Sequence, residues 1–545
     1  MIELTVFTKA GGPLTKQILL ASDGSIKADG SACVMSRGAA RRFRFDSMQQ
    51  FADLISGFQP NEALAVGTLR ADLPDEVQVV AKRNLNGATR PEIIARTRDY
   101  ISYRPREPAL APIDFDQKGM PPPIAAKIDK AGGFWAALTI VLPQLETVAR
   151  VERASTSAGL FDARNGQPLE GSGGRHVYVL VQDGADIERF LKTLHDRCWL
   201  AGFDWMMVGA GGQLLERSIV DRVNGTPERM VFEGAPILVE PVRQDFATRK
   251  PVATADDALD TATHCRTLTV VELAKIRELR ATEAHRLAGD RAKAREAFVR
   301  DQARRLGARM DVDPHQARRI IERQCEGVLL PDVILEFDDP ELTGATVGDM
   351  LNDPNRFVGE ILADPLEGIE YGRGKAQIMR RADGSLWINS FAHGRTVYEL
   401  KRDFAAVAGA LDRAAKDEVV VTFVRLVVVA DLQEDEIERL KHLAADRAGV
   451  GVRALAAALK QAQQKQKKTR AQLEIDQRIA ERRDPRPQIP APPGCAMAAA
   501  DGGVERGSGR QPRARAANAR YRRRRRTSAR PPHAQHAHLH CARSQ

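Results

Sequence analysis

Ala109-Leu110-Ala111-Pro112-Ile113-Asp114-Phe115-Asp116 and, about sixty residues later, Ser172-Gly173-Gly174-Arg175-His176 running into Val177-Tyr178-Val179-Leu180-Val181 decide how this chain is read. The first is an apolar run ending in Asp-x-Asp. In an extended strand, residues i and i+2 share a face, so Asp114 and Asp116 point the same way. Two carboxylates held side by side repel unless a divalent cation lies between them. Such a pair, with a third acid, suits a two-metal clamp on a phosphoryl transfer. The second stretch offers small residues for close approach of a phosphate, then an Arg and a His at the start of a strand.

A third acid stands at Ser218-Ile219-Val220-Asp221, followed by Pro227-Glu228-Arg229-Met230. Asp204 and Glu216 are its rivals. In order and rough spacing, the three stretches resemble motifs I to III of the archaeo-eukaryotic primase superfamily, the primase-polymerases of plasmids, phages and integrated elements. The resemblance covers roughly residues 1–250. Its second motif departs from the family's Ser-x-His, because Gly173, Gly174 and Arg175 separate Ser172 from His176. The resemblance implies an α/β (α+β) fold: an RRM-like antiparallel catalytic core with an additional α/β unit. It also implies template-dependent nucleotidyl transfer. Asp114, Asp116 and Asp221 would be catalytic and hold two Mg²⁺ or Mn²⁺ ions, and Ser172, Arg175, His176 and Arg229 would bind the nucleotide. Single-stranded DNA template and NTP or dNTP are the expected partners, with a helicase made separately. Two other readings compete. One is a catalytically silent primase-fold accessory protein that binds DNA. The other is a metal-dependent glycosyl- or nucleotidyltransferase acting on a small acceptor, since Asp-x-Asp is shared by enzymes of that kind.

Outward from the motifs, 545 residues suit two to four domains. The formal charge of +10 lies wholly in the last 55 residues, which hold 12 Arg against Asp501 and Glu505. The first 490 residues carry 70 basic and 70 acidic side chains. Any nucleic-acid binding by the body must therefore come from local patches. Cys33, Cys198, Cys265 and Cys325 form no Cys-x-x-Cys pair, which excludes a zinc ribbon or a disulfide framework and fits a reducing cytoplasm. Met1–Thr5 lacks the basic and apolar regions of a signal peptide. The longest apolar run, Val419 to Ala430, is too short for a membrane span.

Spacing predicts strands at 2–7, 64–68 and 333–337, and helices at 47–57, 124–130 and 186–201. Residues 1–250 are expected to form the catalytic domain and 251–329 a helical linker or bundle, with 253–263 as the linker itself. Residues 330–402 read as a small α/β accessory domain with a hairpin turning at Asp383-Gly384. Its Ala392-His393-Gly394-Arg395 stretch is similar to a segment that follows the primase module in primase-helicases of mobile elements. Gly368 to Lys375 imitates a phosphate loop but has one residue too many, and Ala376 replaces the magnesium-binding Ser or Thr. Residues 403–488 read as helical, including the β-branched run at 419–429. Residues 489–545, rich in Arg, Ala and Pro, cannot bury a core. We read this tail as out-of-frame translation of a chain that once continued into a motor domain; a nucleic-acid-binding arm is the alternative.

Overall fold

Strand Ile2–Lys9 alternates as its sequence does: Ile2, Leu4 and Val6 face one core and Phe7 faces another. It lies within a five-stranded outer sheet in the order Glu62–Ala65, Ile2–Lys9, Arg37–Phe45, Glu76–Val80, Ile93–Ala95. All pairs are antiparallel except the last. Helix Met48–Ser56 follows, capped by the Ser47 hydroxyl, and buries Met48, Phe51, Ala52 and Ile55. The computed structural model describes residues 1–85, 90–117, 119–169, 173–310, 313–381, 383–391 and 397–482.

The motif stretches build a four-stranded antiparallel central sheet. Its order is Ala109–Phe115, Arg175–Val181, Arg150–Ala154, Val252–Thr254. On one face Ile113, Phe115, Val177, Val179 and Val181 pack on helices Pro122–Ala131, Phe134–Val141 and Ile187–Leu200. On the other, Leu110, Val151 and Tyr178 meet helix Met48–Ser56 and the outer sheet, with the Phe51 and Tyr178 rings edge-on at 4.9 Å. The expectation of a linker over 253–263 is corrected here. Val252–Thr254 is the edge strand of the central sheet, Leu259 and Cys265 are buried in its helical-side core, and Asp260 caps a short helix.

Helices Val270–Arg286 and Ala288–Met310 come next, and Ile276 and Leu287 pack on Trp199 and Met206. Helix Pro314–Cys325, capped by Asp313, leads into a distal five-stranded sheet. Its order is Val328–Leu329, Val397–Leu400, Leu386–Ser390, Ala376–Arg380, Ile361–Leu362. The expected hairpin is present in the register Ala376↔Ser390 to Arg380↔Leu386. The expected strand at 333–337 makes only isolated bridges, Ile334 to Thr346 and Phe337 to Leu362, although Val333, Leu335 and Phe337 are buried in strand-like alternation. Helices Phe404–Arg413, Val419–Val427 and Glu434–Ala448 enclose a separate apolar core. The β-branched run is thus helical: Val419, Phe423 and Val427 fall on one buried stripe at i, i+4, i+8.

Residues 1–468 form one compact unit and 469–545 a second, described only up to the end of helix Val452–Arg482. Among the described residues the four cysteines are free, and no helix is long and apolar enough to cross a membrane.

Candidate active site

Register brings the two motifs together: Asp114 stands directly opposite His176, and His176 directly opposite Arg153 on the next strand. Paired residues across a sheet share a face, so all three side chains project to the side of the outer sheet and helix Met48–Ser56, away from helices Pro122–Ala131, Phe134–Val141 and Ile187–Leu200. The His176 ring is held between two acids. Its Nδ1 lies 2.6 Å from Glu233 Oε1, and its Nε2 lies 3.9 Å from Asp114 Oδ1.

Glu233 is fully buried and was not singled out in the sequence. Its Oε1 also accepts from the Tyr178 hydroxyl at 2.6 Å, and its Oε2 accepts from Arg153 Nη1 at 3.0 Å. Arg249 Nη2 lies 3.9 Å from Oε2. Burial alone would raise the Glu233 pKa; His176, then Arg153 and Tyr178, outweigh it and hold the carboxyl at about 2. The His176 value is raised: burial opposes its charge, and Glu233 followed by Asp114 prevail. The stabilisation from a His with a raised pKa is complete below its ordinary value of 6.5 and fades as pH rises through the folded-state value. A His176→Gln variant is expected to lose that alkaline limb of the stability curve, which urea unfolding between pH 6 and pH 9 would reveal.

The third acid reaches the same place. The Asp221 backbone N–H donates to the Asp114 carbonyl at 3.3 Å, so Asp221 follows hairpin Asp204–Val208/Leu214–Ser218 directly to the end of the motif strand. The Asp114 carboxyl, 38% exposed, is raised in pKa by burial first; His176 opposes this, and Asp221 and Asp116 add to it. Its Oδ2 accepts from Asn224 Nδ2 at 3.4 Å. The rivals are committed elsewhere. Glu216 pairs with Arg222 and Arg280, and Asp204, pushed up to about 7 by burial and then by Glu283, lies in the field of Lys127 and Arg280.

The nucleotide-binding expectations divide. Arg229 belongs to the cluster: together with Asp221, Lys16 and Arg217 it acts electrostatically on Lys375. Arg175 pairs with Phe115 and Ala154 in register, so alternation sends it to the opposite face of the sheet from His176 and Asp114. Ser172 lies outside the described residues, as do His393 and Arg395 of the distal unit. Gly173 is described. Its φ is +58°, and a Cβ there would run into the Gln117 side-chain oxygen, just beyond Asp116. Gly173→Ala is expected to cost about 1–2 kcal/mol for the left-handed backbone and to displace Gln117. Urea unfolding checks the first, and weakened nucleotide binding the second.

Among the described residues no group of three or more His, Cys, Asp and Glu side chains forms a ready-made metal cage. The donor chemistry nevertheless fits a hard divalent cation, because Asp116 and Asp221 both oppose ionisation of Asp114 and an ion among them would remove that opposition. Lys16 and Lys375, like Glu233, escaped sequence reasoning as site residues. Only Lys375 carried a signal, in the imperfect phosphate-loop pattern. Comparison of the chain with protein-family models, with curated proteins and with solved structures finds no match.

Proposed function

We propose that residues 1–265 carry a primase-polymerase-like nucleotidyltransferase that extends or starts a strand on single-stranded DNA. The observation that carries this reading is the convergence of Asp114, Asp116 and Asp221 at one end of the central sheet, beside His176 and a group of cations. Within the central sheet the succession strand–helix–helix–strand–strand–helix, with the third strand between the first two and Leu160–Asp162 intervening but paired outside this sheet, supports the RRM-like expectation. Asp114, Asp116 and Asp221 would hold Mg²⁺ or Mn²⁺. Bound there, such ions supply charge stabilisation at the attacking hydroxyl and the pyrophosphate leaving group. Arg229 and Lys16 draw in the triphosphate. Glu233 favours the charged form of His176 and orients the ring through Nδ1; in that form Nε2 is a donor on the Asp114 side.

The test is primer synthesis and extension on single-stranded DNA by the full chain, with NTP or dNTP and either ion, against an Asp114→Ala, Asp116→Ala variant. Template-dependent product that disappears in the variant is expected. Binding of single-stranded DNA with no product would favour the silent accessory. Neither binding nor product would favour the small-acceptor transferase.

A further inference from the structure

The distal sheet reaches into the candidate site. The turn at 209–212, between the two strands of the hairpin that leads to Asp221, lies against Leu366 and Glu367. Gln213 Nε2 donates to Glu367 Oε1, and a Cβ on Gly211 would stand 3.1 Å from Leu366 Cδ2. A second line of contacts runs closer to the acids. The Gly374 N–H donates to Asp338 Oδ1 at 3.2 Å, and Asp338 lies in the field of Arg96. Arg96 Nη1 in turn donates to the Glu228 carbonyl at 3.0 Å, immediately before Arg229.

Lys375 follows Gly374 at the start of strand Ala376–Arg380. Its backbone is locked in the sheet: the N–H donates to Leu362 O at 3.0 Å, and the carbonyl accepts from the Phe391 N–H at 2.7 Å. Its half-buried ammonium lies among Arg229, Asp221, Lys16 and Arg217. Cys33, on the stretch that follows Lys9 and Lys16, is in the field of Lys375 too. The ammonium therefore stands where the outer-sheet loops, the 217–229 segment and the distal sheet converge. Burial, then Arg229, brings it down to about 8, and Asp221 opposes that fall.

Lys16, Arg217 and Arg229 oppose the charge of Lys375 in this group of cations, and Asp221 favours it. A group of cations beside the acids suits an anion of high charge. In the reaction proposed above that anion is a nucleoside triphosphate.

We propose that Lys375 is a phosphate-binding residue of the nucleotide site, so that the triphosphate is held between the central sheet and the distal sheet. The inference rests on the nucleotidyl-transfer reading. It assigns the distal unit a part in substrate binding.

Binding of dATP to the full chain in Mg²⁺, by calorimetry, tests it with Lys375→Met and Lys375→Arg. Loss of a charge-assisted contact to phosphate is expected to weaken dATP about tenfold or more in Lys375→Met, whereas Lys375→Arg stays within about threefold of the unmodified chain. Where melting shows that Lys375→Met has lost its fold, Lys375→Gln supplies the neutral variant. Unchanged binding in a folded neutral variant overturns the assignment and leaves the reading of the acids standing. Equal losses in the neutral and the Arg variants mean a packing role and overturn it as well. Failure of the unmodified chain to bind either dATP or ATP in Mg²⁺ or Mn²⁺ overturns the nucleotidyl-transfer reading, and this inference with it.

Discussion

Asp114→Asn is expected to reduce template-dependent nucleotide incorporation at least about a hundredfold while leaving the protein as stable as before, or more so. The two effects have one cause. In the protein without metal, ionised Asp114 is disfavoured by burial and by the charges of Asp221 and Asp116, and His176 gives only partial relief. Asparagine removes the charge that is repelled and keeps the shape and the acceptor facing Asn224. The same charge is what a divalent ion would use. A second readout separates binding from chemistry. Saturating Mg²⁺ should raise the melting temperature of the unmodified chain, because a ligand bound only by the folded state stabilises it by about 2.7 kcal/mol at a hundred times Kd. Asp114→Asn should lose most of that rise. An Asn variant that polymerises normally would remove Asp114 from the chemistry. A variant that melts well below the unmodified chain would mean that Asp114 serves the fold instead.

The parts of the fold legible in the sequence are those in which one segment carries its own period. Ile187, Phe190, Leu191, Leu194 and Cys198 mark a helix because all five are buried on one face. The hairpin of the distal sheet announced itself by Asp383-Gly384 between two alternating runs. Strand Val252–Thr254 did not, because an edge strand buries little: Val252 is 63% exposed, and its Ala, Thr and Asp neighbours look like a linker. Residues 333–337 show the converse. Burial alternates there as in a strand, yet the backbone makes only isolated bridges, to Thr346 and to Leu362 on the last strand of the distal sheet, so the period gave the facing of side chains and not the pairing. The site divides in the same way. Asp114 and His176 sit on strands whose pattern fixes their facing, Asp116 lies one residue beyond the first of them, and the same alternation that unites Asp114 with His176 turns Arg175 away. Glu233 and Lys375 had no such pattern around them. Tyr178, His176 and Arg153, the hydrogen-bond partners of the Glu233 carboxylate, lie 55 to 80 residues away, and the groups around Lys375 come from distant parts of the chain, so only the tertiary fold reveals them.

Glu233→Ala is expected to cost about 3–5 kcal/mol of unfolding free energy at pH 7, the largest stability loss of any single substitution considered. The carboxylate has no solvent exposure, and Arg153 and Arg249, 8% and 2% exposed, are gathered around it. Removing it leaves two buried guanidinium groups without their counter-charge, and a buried Tyr178 hydroxyl without its acceptor. Arg153 also donates to the carbonyls of Ile55 at 2.6 Å and Arg249 at 3.0 Å, so it ties the end of helix Met48–Ser56 to the central sheet. Disturbing its charge balance loosens that joint as well. Acid unfolding gives an independent check with a definite sign. A carboxyl held at about 2 in the folded protein, against an ordinary 4.5, contributes stability that is complete above pH 4.5 and is lost as pH falls toward 2. Glu233→Gln, which keeps the volume, should flatten that limb and also let the His176 pKa fall, because the carboxylate that favours its charge is gone. Urea unfolding from pH 2 to pH 7, with NMR titration of His176, measures both. A Glu233→Ala variant within about 1 kcal/mol of the unmodified chain would mean that water and the neighbouring carbonyls already balance the two arginines. The orientation of His176 would then have to come from the sheet alone.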